Sequence, residues 1–269
     1  MSDVTVDMSK HEITHYPHGA FSWAELGTTD APAAKNFYTE LFGWSYSDIE
    51  MGNGVVYSMC YLYGKPVAGL MQMFAGQLEA GERPHWISYI TVSDIEATAA
   101  QVASLGGQVI FPPDVVGDAG HMCLIADPTG ASVFLWQAKQ HPGTALVNMP
   151  GTPGWYELYT NDVERAFDFY TKLLGWTGGM DMYEGARFGA LHNGGEPITV
   201  IMPMRAEMGN SLPCWFAYFR VEDVVASAAK AVEMGGSLLI PPAVSVGYPY
   251  ALVRDPQGAV FFIMSVPAT

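Results

Sequence analysis

WAELGTTDAPAAKNFYTELFGW (residues 23–44) and WYELYTNDVERAFDFYTKLLGW (residues 155–176) are one stretch written twice. At a constant offset of 132 they agree at 12 of 22 positions without a gap. The identical pairs include Trp23/Trp155, Glu25/Glu157, Leu26/Leu158, Asp30/Asp162, Ala34/Ala166, Phe37/Phe169, Tyr38/Tyr170, Gly43/Gly175 and Trp44/Trp176. An offset of 129 then pairs Trp86/Trp215, Tyr89/Tyr218, Val92/Val221, Asp94/Asp223, Gly106/Gly235 and Pro112/Pro241. An offset of 128 pairs Asp127-Pro128 with Asp255-Pro256, and Gly130 with Gly258. Loop-length differences explain the drift, and self-similarity at a fixed long period marks a duplicated unit.

Each copy reads as two smaller units. Ala20–Thr28 has the pattern of a strand. Asp30 follows as a helix N-cap, with Pro32 in the first turn. Ala34, Phe37, Tyr38 and Leu41 recur at the spacing of a buried helix face, and Gly43 is a stop signal. Strands are expected at Val55–Tyr63 and Pro66–Phe74, around a turn at Gly64-Lys65. The plan repeats with a strand at His85–Val92, a helix capped by Asp94 and ended by Gly106-Gly107, and strands near Gln108–Phe111, His121–Ala126 and Ser132–Gln137. Tyr183–Asn193 reads as one strand leading into a hairpin at Asn193-Gly194-Gly195. The order β-α-β-β-β, four times over, gives an α+β class. The expected division is an arm at 1–18, a first domain at 19–138, a Pro/Gly-rich linker at 139–153 and a second domain at 154–269.

Composition narrows the function. The chain has 269 residues, 49% hydrophobic and 14% charged, with a formal net charge of −15. Such acidity repels phosphate backbones, so nucleic acid is not an expected partner. No apolar run approaches the roughly 18 residues of a membrane span. Met1–Tyr16 is polar, lacks a signal core and reads as a loosely held arm. Cys60, Cys123 and Cys214 are odd in number, have no CxxC spacing and suit reduced thiols in a cytoplasmic protein. There is no GxGxxG after a strand and no P-loop, so an electron-transfer cofactor has no motif here and no cofactor is expected.

A strand, then Asp, then a helix with Phe-Tyr, then Leu-Phe-Gly-Trp, with Asp-Pro-x-Gly before the last strand, resembles the vicinal oxygen chelate superfamily. That superfamily includes glyoxalase I, bleomycin-resistance proteins and extradiol dioxygenases. The resemblance covers nearly all of the chain after Gly19. Trp-x-Glu-Leu before the helix, in two copies, looks most like a bacterial glyoxalase-like branch. It implies paired βαβββ units whose curved sheet encloses a pocket, hence two pockets here. It does not imply one chemistry, because the fold hosts isomerases, lyases, dioxygenases and binders. It also implies where a divalent metal would sit: on His or Gln seven residues before each helix cap, and on Glu four residues after the Gly of Asp-Pro-x-Gly. Those positions here are Trp23, Ile87, Trp155 and Phe216, and then Phe134 and Phe262. None offers the N or O donor that a hard divalent ion requires, so no metal is expected at them. His11, His15 and His18 fall in the arm, and His85, His121, His141 and His192 are scattered without ligand spacing.

Alternate residues of a strand share a face. If Trp23 and Trp155 face the pockets, so do Glu25 and Glu157. A carboxylate against an apolar wall has its pKa raised toward neutrality, which suits a general acid or base. The alternative is that each Glu only fixes its strand through hydrogen bonds or an arginine. The second pocket would offer Glu157, Tyr159, Tyr218, Phe216 and Arg220; the first Glu25, Gly27, Tyr89 and Thr91. Arg220 either clamps a carboxylate or enolate oxygen or pairs with Glu157. Trp23, Trp155, Phe134 and Phe262 supply walls for stacking, and His192 could reach the mouth of the second pocket. The preferred reading is a metal-independent enzyme moving a proton on a small molecule, of lyase or isomerase type, with Glu157 and Glu25 as the catalytic groups. A binder without catalysis and a metal enzyme with unusual ligands remain alternatives. With four units in one chain, the protein is expected to act as a monomer or homodimer.

Overall fold

The computed structural model describes residues 8–52, 54–209 and 211–265. The first copy contributes strands β1 (Phe21–Thr28), β2 (Ser45–Glu50), β3 (Val56–Leu62), β4 (Lys65–Gln72), β5 (His85–Thr91), β6 (Gln108–Val116), β7 (Gly120–Ala126) and β8 (Ser132–Ala138). Helices α1 (Ala31–Phe42), α2 (Ala75–Glu79) and α3 (Ile95–Val102) lie between them. The second copy repeats this with β9 (Pro153–Thr160), α4 (Val163–Leu174), β10 (Thr177–Tyr183), β11 (Ala186–Asn193), β12 (Glu196–Pro203), β13 (Cys214–Arg220), α5 (Val224–Glu233), β14 (Ser237–Ser245), β15 (Tyr248–Arg254) and β16 (Val260–Met264). The strands form two sheets of eight, ordered β2-β3-β4-β1-β5-β8-β7-β6 and β10-β11-β12-β9-β13-β16-β15-β14. The first strands of paired units meet antiparallel at each sheet's centre, Trp23 opposite Tyr89 and Glu157 opposite Phe216. The chain thus folds as two α+β domains in tandem, four βαβββ units in all.

Local chemistry explains the regularity. All four long helices start at an aspartate whose carboxylate accepts backbone N–H bonds: Asp30 from Ala33, Asp94 from Ala97, Asp162 from Arg165, and Asp223 from Val225 and Ala226. Such a cap satisfies donors the helix cannot. The segment read as one strand over Tyr183–Asn193 is instead split by a turn. Glu184 and Gly185 take φ of 50° and 79°, the pair of left-handed residues that a tight hairpin needs. Tyr63-Gly64 and Val246-Gly247 turn in the same way.

One core joins the copies. The helices and the inner faces of both sheets contribute to it, and Phe21 stacks on Tyr156 across the middle at 4.4 Å. Much of the repeated sequence serves this junction. Tyr38 on α1 accepts from Trp86 Nε1 at 3.0 Å and donates to Asp255 Oδ2, in the opposite copy, at 2.9 Å. Asp255 Oδ1 meanwhile accepts from the N–H groups of Gln257, Gly258 and Ala259, which shapes the Asp-Pro-x-Gly turn. In mirror fashion Tyr170 accepts from Trp215 Nε1 at 2.8 Å and lies beside Asp127. There the approach is looser, and Asp127 Oδ2 closes no hydrogen bond. Trp44 and Trp176 donate to Gly151 O and Gly19 O, just ahead of the other copy's first strand. A Cβ on Gly19 would lie 2.7 Å from Trp176 Nε1, so that approach requires glycine.

The arm differs from the expectation for Met1–Tyr16. Residues 1–7 of it lie outside the described residues. From Met8 on it is laid against the segment between the copies. Ile13 N donates to Ala145 O, Val147 N to His11 O, and the buried Tyr16 hydroxyl to Thr144 O. Among the described residues no helix is long and apolar enough to cross a membrane.

Candidate functional site

The sheet faces turned away from the shared core carry two separate clusters. Trp23, Tyr89 and Trp136 centre the first, packed against Met59, Met122 and Phe134. Tyr159, Phe216, Tyr218, Phe262 and Met264 centre the second, packed against Trp155, Met202 and Tyr250. The cluster-bearing face of each sheet is its cup. In the second copy the turn Ala206–Met208, which follows β12, touches β14 at the far edge of the sheet.

In the second cup Glu157 is enclosed by donors. Its Oε1 accepts from Trp155 Nε1 at 3.1 Å. Its Oε2 accepts from Tyr159 at 3.0 Å and, in a short contact, from Tyr218. The two phenol oxygens are 3.4 Å apart. Phe262 lies parallel to Tyr218 at 4.2 Å, and Phe216 meets Tyr159 edge-on. Glu157 is half-buried, as is Glu25 in the first copy. Burial holds its carboxyl above the usual range, against the lowering influence of Tyr218, Tyr159, Trp155 and the Arg205 charge. Burial and the adjoining Glu157 push both phenols up, so they stay protonated donors at neutral pH.

The first cup reaches a similar cluster by other means. Tyr89 donates to Glu25 Oε2 at 3.0 Å. The second phenol comes from Tyr57 on β3, because Gly27 stands where the second copy has Tyr159. Tyr57 crosses β4 at Gly69, where a Cβ would fall 1.9 Å from its hydroxyl. Burial raises the Glu25 carboxyl too, opposed by Tyr57, Tyr89 and His85. The mouth differs more. His141, from the segment between the copies, meets Trp23 edge-on at 4.6 Å, and its carbonyl accepts from Trp136. Burial lowers the His141 imidazole to about 4, and its Nε2 is buried without a partner. Trp23 is 3% exposed, whereas Trp155 is half-buried. The connecting segment therefore covers Trp23, whereas Trp155 stays partly exposed.

Arg220 lies apart from Glu157. Its stem runs against Gly154, where a Cβ would sit 2.6 Å from it, and its Nε is buried without a partner. The cation acting on Glu157 is Arg205, whose Nη1 donates to Tyr250 Oη at 3.1 Å. Sequence reading passed over Arg205 because it follows β12 and belongs to no motif. It weighed His85 and His141 only as metal ligands, for which their scattered spacing gave no support. His192 stands opposite Thr177 near the end of β11, two strands from β9.

At the positions where the resemblance would place metal ligands stand Trp23, Ile87 and Phe134, and Trp155, Phe216 and Phe262. These are hydrocarbon and indole groups, and the phenylalanines are committed to stacking on Tyr89 and Tyr218. Among the described residues no three of His, Cys, Asp or Glu gather as a ligand set. The residues present do not fit a divalent ion at these positions.

Both clustered carboxylates have raised pKa values, which fixes a sign for stability. An acid whose folded pKa exceeds its unfolded one contributes stability below the unfolded value, about 4.5 for Glu, and loses it as pH rises through the folded value. The wild-type protein should therefore lose stability relative to a Glu25→Gln/Glu157→Gln double variant as pH rises above about 4.5. Urea unfolding across that range checks this; a constant gap would contradict it.

Comparison with known proteins agrees with this architecture. CFP32 of Mycobacterium tuberculosis, whose name carries the word glyoxylase, is 43% identical over 256 residues, 93% of this chain and 96% of that one. The anthracycline biosynthesis protein DnrV of Streptomyces peucetius is 31% identical, covering 94% and 96%. Among solved structures, the Mn(II)-bound glyoxalase from Novosphingobium aromaticivorans superposes with a TM-score of 0.64 at 15% identity, over 93% of this chain and 84% of that one. The 2,3-dioxygenase LapB from Pseudomonas sp. KL28 gives 0.65 at 14% identity, over 93% and 94%. The model of the Glyoxalase/Bleomycin resistance protein/Dioxygenase superfamily matches twice, at residues 20–134 and 152–262, one match on each eight-stranded sheet. With two sheets of the same strand order and a family match on each, the chain belongs to that superfamily.

Proposed function

We propose that the second cup binds a planar carbonyl compound and moves a proton on it without a metal, with Glu157 as the acid–base group. The observation that carries this is a half-open carboxylate of raised pKa held by three aromatic donors. Oε2 has both lone pairs engaged by Tyr159 and Tyr218, while Oε1 has one engaged by Trp155 and one free. Oε1 is therefore the atom that takes the proton. When it does, the negative charge leaves the carboxylate and develops on the substrate oxygen. Tyr159 and Tyr218 then hold the better acceptor on the substrate, and their shift stabilises the enolate. Half-buried Trp155 holds the ring by stacking, backed by Phe216 and Phe262. Glu25 would do comparable work in the first cup when His141 is displaced, and Trp23, Tyr89 and Phe134 would line that space. The relative whose name places it in anthracycline biosynthesis fits a planar ligand. The division into arm, two domains and linker, the cytoplasmic location and the monomeric or dimeric state belong to the same reading.

Hydrogen exchange tests it. Protein in D2O is mixed with 2-tetralone, and loss of the α-carbon proton signals is followed by NMR. Exchange well above buffer is the expected result, and a rate equal to buffer would contradict proton transfer. The second reading, a binder that sequesters an aromatic molecule, is favoured by the parallel Tyr218–Phe262 wall, which needs no chemistry to hold a ring. Saturable binding of 2-tetralone without exchange would select it.

A further inference from the structure

Cationic groups in an apolar cup need a reason, and the second cup holds two. Arg205 is half-buried, with one guanidinium nitrogen on the Tyr250 hydroxyl. Glu207 acts on it through space, but no carboxylate among the described residues lies within ion-pair distance of it. Arg220 is also half-buried and unpaired, with its Nε orphaned. The register sets their anchors in one row: Arg220 is opposite Met264, and Met264 is opposite Tyr250, whose hydroxyl accepts from Arg205. Gly154 leaves room for the Arg220 stem. Burying a cation without a partner is costly, as at Arg220, whose Nε has none, and a ligand that supplies the anion recovers that cost.

The first copy has neither cation. Thr91 is opposite Trp136, and Trp136 opposite Met122, so Thr91, Trp136 and Met122 stand for Arg220, Met264 and Tyr250. Met73 and Met204 make the same backbone bond to the end of their first strands, which puts Phe74 in the place of Arg205. The two arginines therefore belong to the second copy alone, in a chain with only 12 basic residues against 27 acidic ones.

We infer that Arg205 and Arg220 form an anion subsite, and that the second cup is built for a planar aromatic acid whose carboxylate they hold. The inference rests on the proposal that this cup is the ligand site, and it adds the charge of the ligand.

Isothermal titration with 2-naphthoate and its neutral twin 2-naphthamide tests the subsite. Neither probe has an exchangeable α-hydrogen, so the result does not depend on proton transfer. The wild-type protein should bind the acid at least about tenfold tighter than the amide, as charge-assisted hydrogen bonds do. An Arg205→Gln/Arg220→Gln double variant should lose that preference and keep its affinity for the amide. Arg187→Gln, a change at an exposed arginine paired with Glu164, should keep the preference. Glu157→Gln should keep it as well, which separates this subsite from the acid–base proposal. Equal affinities in the wild type, a preference surviving in the double variant, or binding of neither probe would overturn it.

Discussion

Glu157→Gln should cut exchange of 2-tetralone by at least about 100-fold, the range assigned to a positioned acid–base group, while leaving its affinity nearly unchanged. Gln keeps the length and planarity of the side chain, and its carbonyl can still accept from Tyr159 and Tyr218. It cannot accept a proton at neutral pH. A loss of rate without a loss of binding therefore isolates proton transfer from packing. Tyr218→Phe should give a smaller loss, because Tyr159 remains to donate, and should shift the pH profile by releasing one bond that steadies the Glu157 charge. An unchanged rate in Glu157→Gln would leave that carboxylate a strand-fixing group and nothing more.

The second large effect concerns the junction between the copies. Tyr38→Phe removes one hydroxyl and strands two buried groups, Trp86 Nε1 and Asp255 Oδ2. Each unsatisfied group costs about 1–3 kcal/mol, so the variant should be less stable by about 2–6 kcal/mol. Tyr170→Phe should cost less, because Asp127 Oδ2 has no hydrogen bond to lose and only Trp215 Nε1 is stranded. Urea unfolding of the two variants checks both the magnitude and its asymmetry. Equal and negligible losses would mean that the tyrosines are packing groups whose hydroxyls hold nothing.

That asymmetry shows what a sequence can and cannot disclose. The duplication, the four aspartate caps and the α+β class are local or periodic properties, and each is legible in residues 23–44 and their echo. The same echo draws attention to Glu157, but it does not say why the residues around it repeat. Tyr38, Trp86 and Asp255 recur because two copies lock across a shared core, a contact between residues more than 200 positions apart in the case of Tyr38 and Asp255. The cups diverge through residues that no repeat can flag. Tyr57 replaces the role of Tyr159 by crossing a glycine, His141 enters from a connecting segment, and Arg205 follows a strand whose neighbours carry no motif. Arg220 is noticeable as an inward position, yet its distance from Glu157 depends on a register shift between β9 and β13 at Tyr218/Phe219, and so cannot be read from alternation alone.

The proposal is that this chain keeps the fold of its superfamily while its second cup does acid–base work through Glu157 without a metal. Elemental mass spectrometry on protein purified without added metal or chelator, paired with the 2-tetralone exchange rate before and after chelation, tests it most directly. The account predicts a small fraction of an equivalent of any divalent metal per chain and an exchange rate that chelation leaves unchanged. About one equivalent per chain, with exchange lost on chelation and restored by the metal, would contradict it.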